Sequence, residues 1–156
     1  MGSSNIRPLL PLLGALLAAA CSAPTIGTRY GVGTFVLRTV DGQPLPALTQ
    51  VSSTLRAYVL SDTIRWYSSG EYDEMQLRRD EFISPPSVAI QRVFTSGRYV
   101  VRGDSVQFMP DCPPNALCAA PPFASRAPDG TITTAFRSAS GLSLVKRYQQ
   151  VGFPPD

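Results

Sequence analysis

Between residues 33 and 148, apolar and polar side chains alternate with a period of two over short runs that glycine, aspartate and proline interrupt. Alternation of this kind puts every second side chain on one face, so it predicts strands with a single buried face. Residues 33–46, GTFVLRTVDGQPLP, set Phe35 and Leu37 against Val36 and Arg38 before Asp41-Gly42, which predicts a strand and a turn. Residues 54–70, TLRAYVLSDTIRWYSSG, predict a hairpin in which Leu55, Ala57 and Val59 share a face, Ser61-Asp62 turns, and Ile64 and Trp66 face one way on the return. Residues 87–108, SVAIQRVFTSGRYVVRGDSVQF, predict three runs with turns at Ser96-Gly97 and Gly103-Asp104; Tyr99 matches Val101 in parity, and Val106 matches Phe108. A last hairpin over 130–148 sets Ile132, Thr134 and Phe136 opposite Leu142 and Leu144. Residues 71–83 fit either a helical turn or a strand, and strand is the reading adopted. The proline-rich stretch 109–129 reads as an irregular loop. About eight or nine short strands without an amphipathic helix predict an all-β antiparallel fold, a closed barrel or a sandwich.

One run breaks the alternation. Pro8 to Ala20, PLLPLLGALLAAA, is apolar throughout, follows a short polar opening that carries Arg7, and ends in small residues before Cys21. This is signal-peptide architecture. It is short of the roughly 20 apolar residues of a transmembrane helix. Ala18, Ala19 and Ala20 before Cys21 resemble the lipobox of bacterial lipoprotein signal peptides, with alanine at 18 where leucine is usual. That resemblance implies removal of residues 1–20 and acylation of Cys21, whose several chains would anchor a small domain in the membrane where one chain alone is marginal. Ser22 stands where inner-membrane retention uses aspartate, which by the same resemblance implies the outer membrane, on its periplasmic side. An ordinary secretory signal cut near Ala18–Ala20 or near Cys21–Ala23 is the competing reading. With acylation, residues 21–29 form a lipidated tether, 30–150 the domain and 151–156 a tail.

A chain of 156 residues fits one domain. Charged residues are 16% of the chain, below the usual level of about 25%, and 15 prolines point to a loop-rich fold. The formal net charge of +3 is spread without blocks, so no nucleic-acid surface is expected. Histidine is absent. Imidazole general-base catalysis and the commonest zinc and copper ligands are therefore excluded. Export would place Cys112 and Cys118, in DCPPNALC, in an oxidising compartment, where an even pair is most simply a structural disulfide.

GTFVLRTVDGQPLPA, GRYVVRGDSVQF and the closing GLSLVKRY together resemble small bacterial envelope lipoproteins with a lipocalin-like β-barrel domain, over residues 30–148. The departures are the Cys112–Cys118 insertion and Val145-Lys146 where an aromatic is common. The resemblance implies an up-and-down barrel of about eight strands, which is just wide enough to be filled by side chains or to hold one small ligand. It brings no catalytic residues and no cofactor. Phe35, Leu37, Trp66, Tyr99, Phe108 and Phe136 are the expected lining if a small apolar ligand is held inside. The alternative is a filled barrel that meets an envelope protein through loops such as 41–50 and 109–129.

Other candidate chemistry reads as structure. Arg102-Gly103-Asp104 fits a hairpin turn better than an adhesion signal. Asp73, Glu74, Asp80 and Glu81 interleave with Arg78 and Arg79 and read as a solvated, self-neutralising surface rather than a carboxylate pair for hydrolysis.

Overall fold

The computed structural model describes residues 32–112, 123–137 and 141–153. The strands are β1 (Gly33–Val40), β2 (Gln43–Pro44), β3 (Ala47–Val51), β4 (Leu55–Trp66), β5 (Glu71–Ile83), β6 (Pro86–Arg102), β7 (Ser105–Pro110), β8 (Phe123–Arg126), β9 (Thr131–Arg137) and β10 (Ser143–Gly152), with no helix among the described residues. From β4 to β10 each strand pairs antiparallel with the next, and β1 closes the circle by pairing with β10 on one side and β4 on the other. The result is a closed, antiparallel, eight-stranded up-and-down barrel. β1 occupies only the Thr63–Trp66 part of β4, and β3 takes the Arg56–Val59 part.

The turns match their residues. Asp41 and Gly42 both have positive φ, as a tight primed hairpin turn requires, and Asp41 Oδ1 accepts from the Val145 amide at 2.7 Å, tying that turn to β10. Gly103 turns between β6 and β7 with φ 60°, in the Gly-Asp position read from the sequence. Residues 71–83 are a strand, as adopted.

Two expected turns are strand interior instead. Ser61-Asp62 lies within β4, where the pairing with β5 shifts register between Val59 and Ser61. This β-bulge inserts one extra residue and reverses the parity of the rest of the strand. Ala57 and Val59 point inward before it, and Asp62, Ile64 and Trp66 after it. A change of parity in the sequence thus marks a bulge, not a reversal of the chain. Ser96-Gly97 likewise lies inside β6, which is one strand of 17 residues. Gly97 is there because β7 crosses so close that a Cβ would run into the carbonyl of Met109. Part of the expected 109–129 loop is also a strand, β8. In the last hairpin Leu144 does face Phe136, whereas Ile132 faces Tyr148, and Leu142 precedes the strand.

The long β5–β6 hairpin outreaches β7, with β4 alongside β5 throughout, and this extended part of the sheet is the arm. Its pairing runs without a register shift from Glu71 opposite Arg98 to Ile83 opposite Pro86. β7 accompanies β6 only from Gly97 onward.

Candidate functional site

The barrel interior is divided. At the end where β1 begins, Trp66 is enclosed by rings: Phe35 at 4.5 Å between centroids, Tyr99 stacked at 5.2 Å, and Phe108 edge-on at 5.8 Å, with Tyr72 edge-on to Phe108 at 4.9 Å. Offset and edge-on contacts at these distances are the favourable arrangements of aromatic pairs. All five are buried, as is Leu37. The Tyr99 hydroxyl donates to the Tyr67 carbonyl at 2.8 Å, and burial pushes the Tyr72 and Tyr99 phenols up to about 12, so both stay neutral. Of the six side chains expected as a ligand lining, Phe35, Leu37, Trp66, Tyr99 and Phe108 are thus gathered in one packed core. Phe136 is outside this set, partly buried and packed against the core from the side of Leu144.

The other end is polar. Asp62, with no exposed surface, accepts through Oδ2 from Lys146 Nζ at 2.6 Å, the Tyr148 hydroxyl at 2.9 Å and Gln76 Nε2 at 3.0 Å. Glu74 Oε1 lies 3.5 Å from Lys146 Nζ, and the ammonium sits 5.1 Å from the centre of the Phe136 ring. Asp62 Oδ1 has no hydrogen-bond partner among the described residues. Burial pulls the Lys146 ammonium down, but the charges of Asp62 and Glu74 outweigh it and hold the group cationic. Burial, then the charge of Asp62, pushes Glu74 up to about 7 against the attraction of Lys146. Burial and the same two carboxylates raise the Tyr148 phenol well above its ordinary range, so it remains a donor. The amine is thus protonated, paired and unable to act as a nucleophile. What the arrangement does is hold four strands, β4, β5, β9 and β10, to one buried charge pair.

This corrects the expectation of a solvated, self-neutralising acidic surface in part: Arg78 and Arg79 do pair with Asp80 and Glu81, but the cluster is not all solvated. Alternation along β5 sends Glu74 and Asp80 inward and leaves Asp73 and Glu81 outside. Asp80 is buried and receives a bidentate Arg78 guanidinium at 2.6 and 2.7 Å. Asp73 accepts from the Tyr67 hydroxyl, and Glu81 pairs with Arg79 at 3.1 Å. The network was readable in part: Lys146, the one lysine, has the parity of Leu144 and Tyr148, and Asp62 that of Ile64 and Trp66.

Outside the barrel, an open cleft of about 400 Å³ lies beside Tyr67, Asp73, Phe94 and Asp111. Cys21, Cys118 and the apolar run 8–20 lie outside the described residues, and Cys112 ends a described stretch. Among the described residues no helix is long and apolar enough to cross a membrane, and no three side chains of metal-ligating type are grouped. No protein family, curated protein or solved structure matches the chain.

Proposed function

We propose that this chain is an exported, lipid-anchored protein of the cell envelope whose barrel is a filled, non-catalytic scaffold and whose work is done by its outer surface. The observation that carries the reading is the division of apolar groups. Inside, the rings contact one another at 4.5 to 5.8 Å and the remaining space is crossed by the Asp62 network. Outside, Val88, Ile90 and Phe94 stand 65%, 57% and 68% exposed on one strand of the arm. A carrier would reverse that distribution, with its apolar surface turned to an interior pocket. Clustered exposed apolar groups mark an interaction surface.

The apolar run 8–20 followed by Cys21 supports export and acylation, and Ser22 supports the outer membrane facing the periplasm. Cys112 and Cys118 staple the proline-rich excursion as a disulfide. A tether from Cys21 would lead into the barrel at Gly33, where β1 begins.

Native mass spectrometry of the mature protein, purified from its host in mild detergent, tests the reading. The expected result is the acylated polypeptide mass, two hydrogens short for the disulfide. A bound apolar molecule of a few hundred daltons that survives purification would make the barrel a carrier, with Phe35, Trp66 and Tyr99 as its lining.

A further inference from the structure

Among the described residues, β3 ends the strand order and β6 is partnered on one side over only part of its length. The edge of β3 is five residues long, carries a register shift between Leu48 and Gln50, and comes after Pro44 and the cis-bonded Pro46. Short length, bulges and prolines are the devices that keep an edge from pairing with another chain. β6 has none of them over residues 87–95. Its pairing with β5 is continuous, its one proline is its first residue, and its one charge there is Arg92. On the side away from β5, β7 begins only at Gly97, and the Asp111 amide reaches Ser96, so that residues 87–95 have no backbone partner on that side among the described residues. Val88, Ile90 and Phe94 project from one face of this edge, Ala89 and Val93 from the other.

We propose that two copies of this chain pair antiparallel along the open edge of β6, with Gln91 on the two-fold axis. This deepens the interaction reading above and rests on it. Such pairing continues the sheet from one arm into the other and satisfies both edges at once, a closed isologous contact. The sequence of the edge selects the register. With Gln91 opposite Gln91, Val88 faces Phe94 and Ala89 faces Val93, apolar against apolar, Ser87 faces Thr95, hydroxyl against hydroxyl, and Ile90 lies against Arg92, while only Pro86, the first residue of the partner's strand, reaches the level of Ser96. Centring on Arg92 would set two guanidinium groups directly opposite. Centring on Val93 would set the partner's Ile90 opposite Ser96 and its Ala89 opposite Gly97, in the places of Asp111 and Pro110. Centring on Ile90 would bring Pro86, which has no amide hydrogen, opposite Phe94. The seven residues 88–94 span about 23 Å at 3.3 Å per residue.

Sedimentation of the full mature chain in mild detergent, with cysteine cross-linking, tests this. The dimer mass is expected for the native chain. Gln91→Cys is expected to give a covalent dimer on oxidation, because residues opposite each other in a sheet lie within disulfide reach; Arg92→Cys, whose mate is Ile90, is not. Ile90→Arg puts like charge against Arg92 of the second copy and is expected to raise the dissociation constant roughly 100-fold, while Ile90→Glu, which meets the same arginine with opposite charge, keeps the dimer. A monomer at about 100 µM, equal cross-linking at 91 and 92, or an Ile90→Arg dimer of native affinity would overturn the proposal. A one-to-one complex with a different polypeptide that Ile90→Arg releases would overturn it too, and assign the edge to that partner. A monomer with an empty barrel sinks self-pairing alone; a ligand-loaded barrel sinks the scaffold reading.

Discussion

The two ends of the barrel interior solve the same packing problem with opposite materials. At the aromatic end, five buried rings pack against one another and need few polar partners; the Trp66 Nε1 has none among the described residues. At the polar end, one buried carboxylate collects an ammonium, a phenol and an amide. Packed rings stabilise by removing apolar surface from water, a gain without direction. A buried ion pair gains little in net stability, because desolvation offsets most of the Coulomb attraction, but it penalises any arrangement that separates the partners. The first end therefore supplies stability and the second fixes which strands meet.

That contrast can be broken at either end. Trp66→Ala should cost about 3–5 kcal/mol in urea unfolding, through lost burial and an unfilled cavity. Lys146→Met should cost a similar amount, about 3–5 kcal/mol, because Asp62 is left charged and unpaired. The ends then separate on a second substitution. Adding Asp62→Asn to Lys146→Met should recover most of the loss, since the orphaned charge is gone. A single-mutant cost that persists unchanged in the double variant would show that Lys146 acts by packing alone.

Glu74 gives a smaller, pH-dependent effect. Its carboxyl is pushed from the ordinary 4.5 to about 7 in the folded chain, so the folded state holds the proton more tightly than the unfolded one. Stability from this group is complete below about pH 4.5 and falls as pH rises to about 7, by about 2–3 kcal/mol. Glu74→Gln keeps the neutral shape and should abolish that slope; a variant whose melting temperature still falls over the same range would place the titration elsewhere. Smallest is Tyr148→Phe, which removes one hydrogen bond to a charged acceptor and should cost about 1.5 kcal/mol by the same unfolding measurement.

Parity carries most of the fold. Tyr99 with Val101, Val106 with Phe108, and Leu144 with Phe136 are legible from alternation alone, because each lies in a stretch of regular ladder, and Phe35 with Leu37 because the register shifts of β1 fall on either side of them. The errors fall where regular ladder ends. The bulge at Val59–Ser61 changes parity as a hairpin would, and Gly97 reads as a turn glycine although a close crossing strand requires it. Glu74 and Asp80 are hidden by a different feature. A run of mixed charges suggests a surface, whereas strand alternation sends every second residue inward, so that Asp80 is buried with Arg78, two residues away, as its partner. Lys146 reads as a departure from an aromatic pattern until β4 is in place, for its partner Asp62 is 84 residues away.

Trp66 is the only tryptophan, and it lies at the centre of the packed rings with no exposed surface. Its fluorescence therefore reports directly on whether the barrel is filled. A filled barrel should give blue-shifted emission that acrylamide does not quench and that titration with long-chain fatty acids or an apolar dye leaves unchanged. Saturable quenching or a spectral shift with such a molecule would contradict it, and would turn the ring cluster from a core into a pocket.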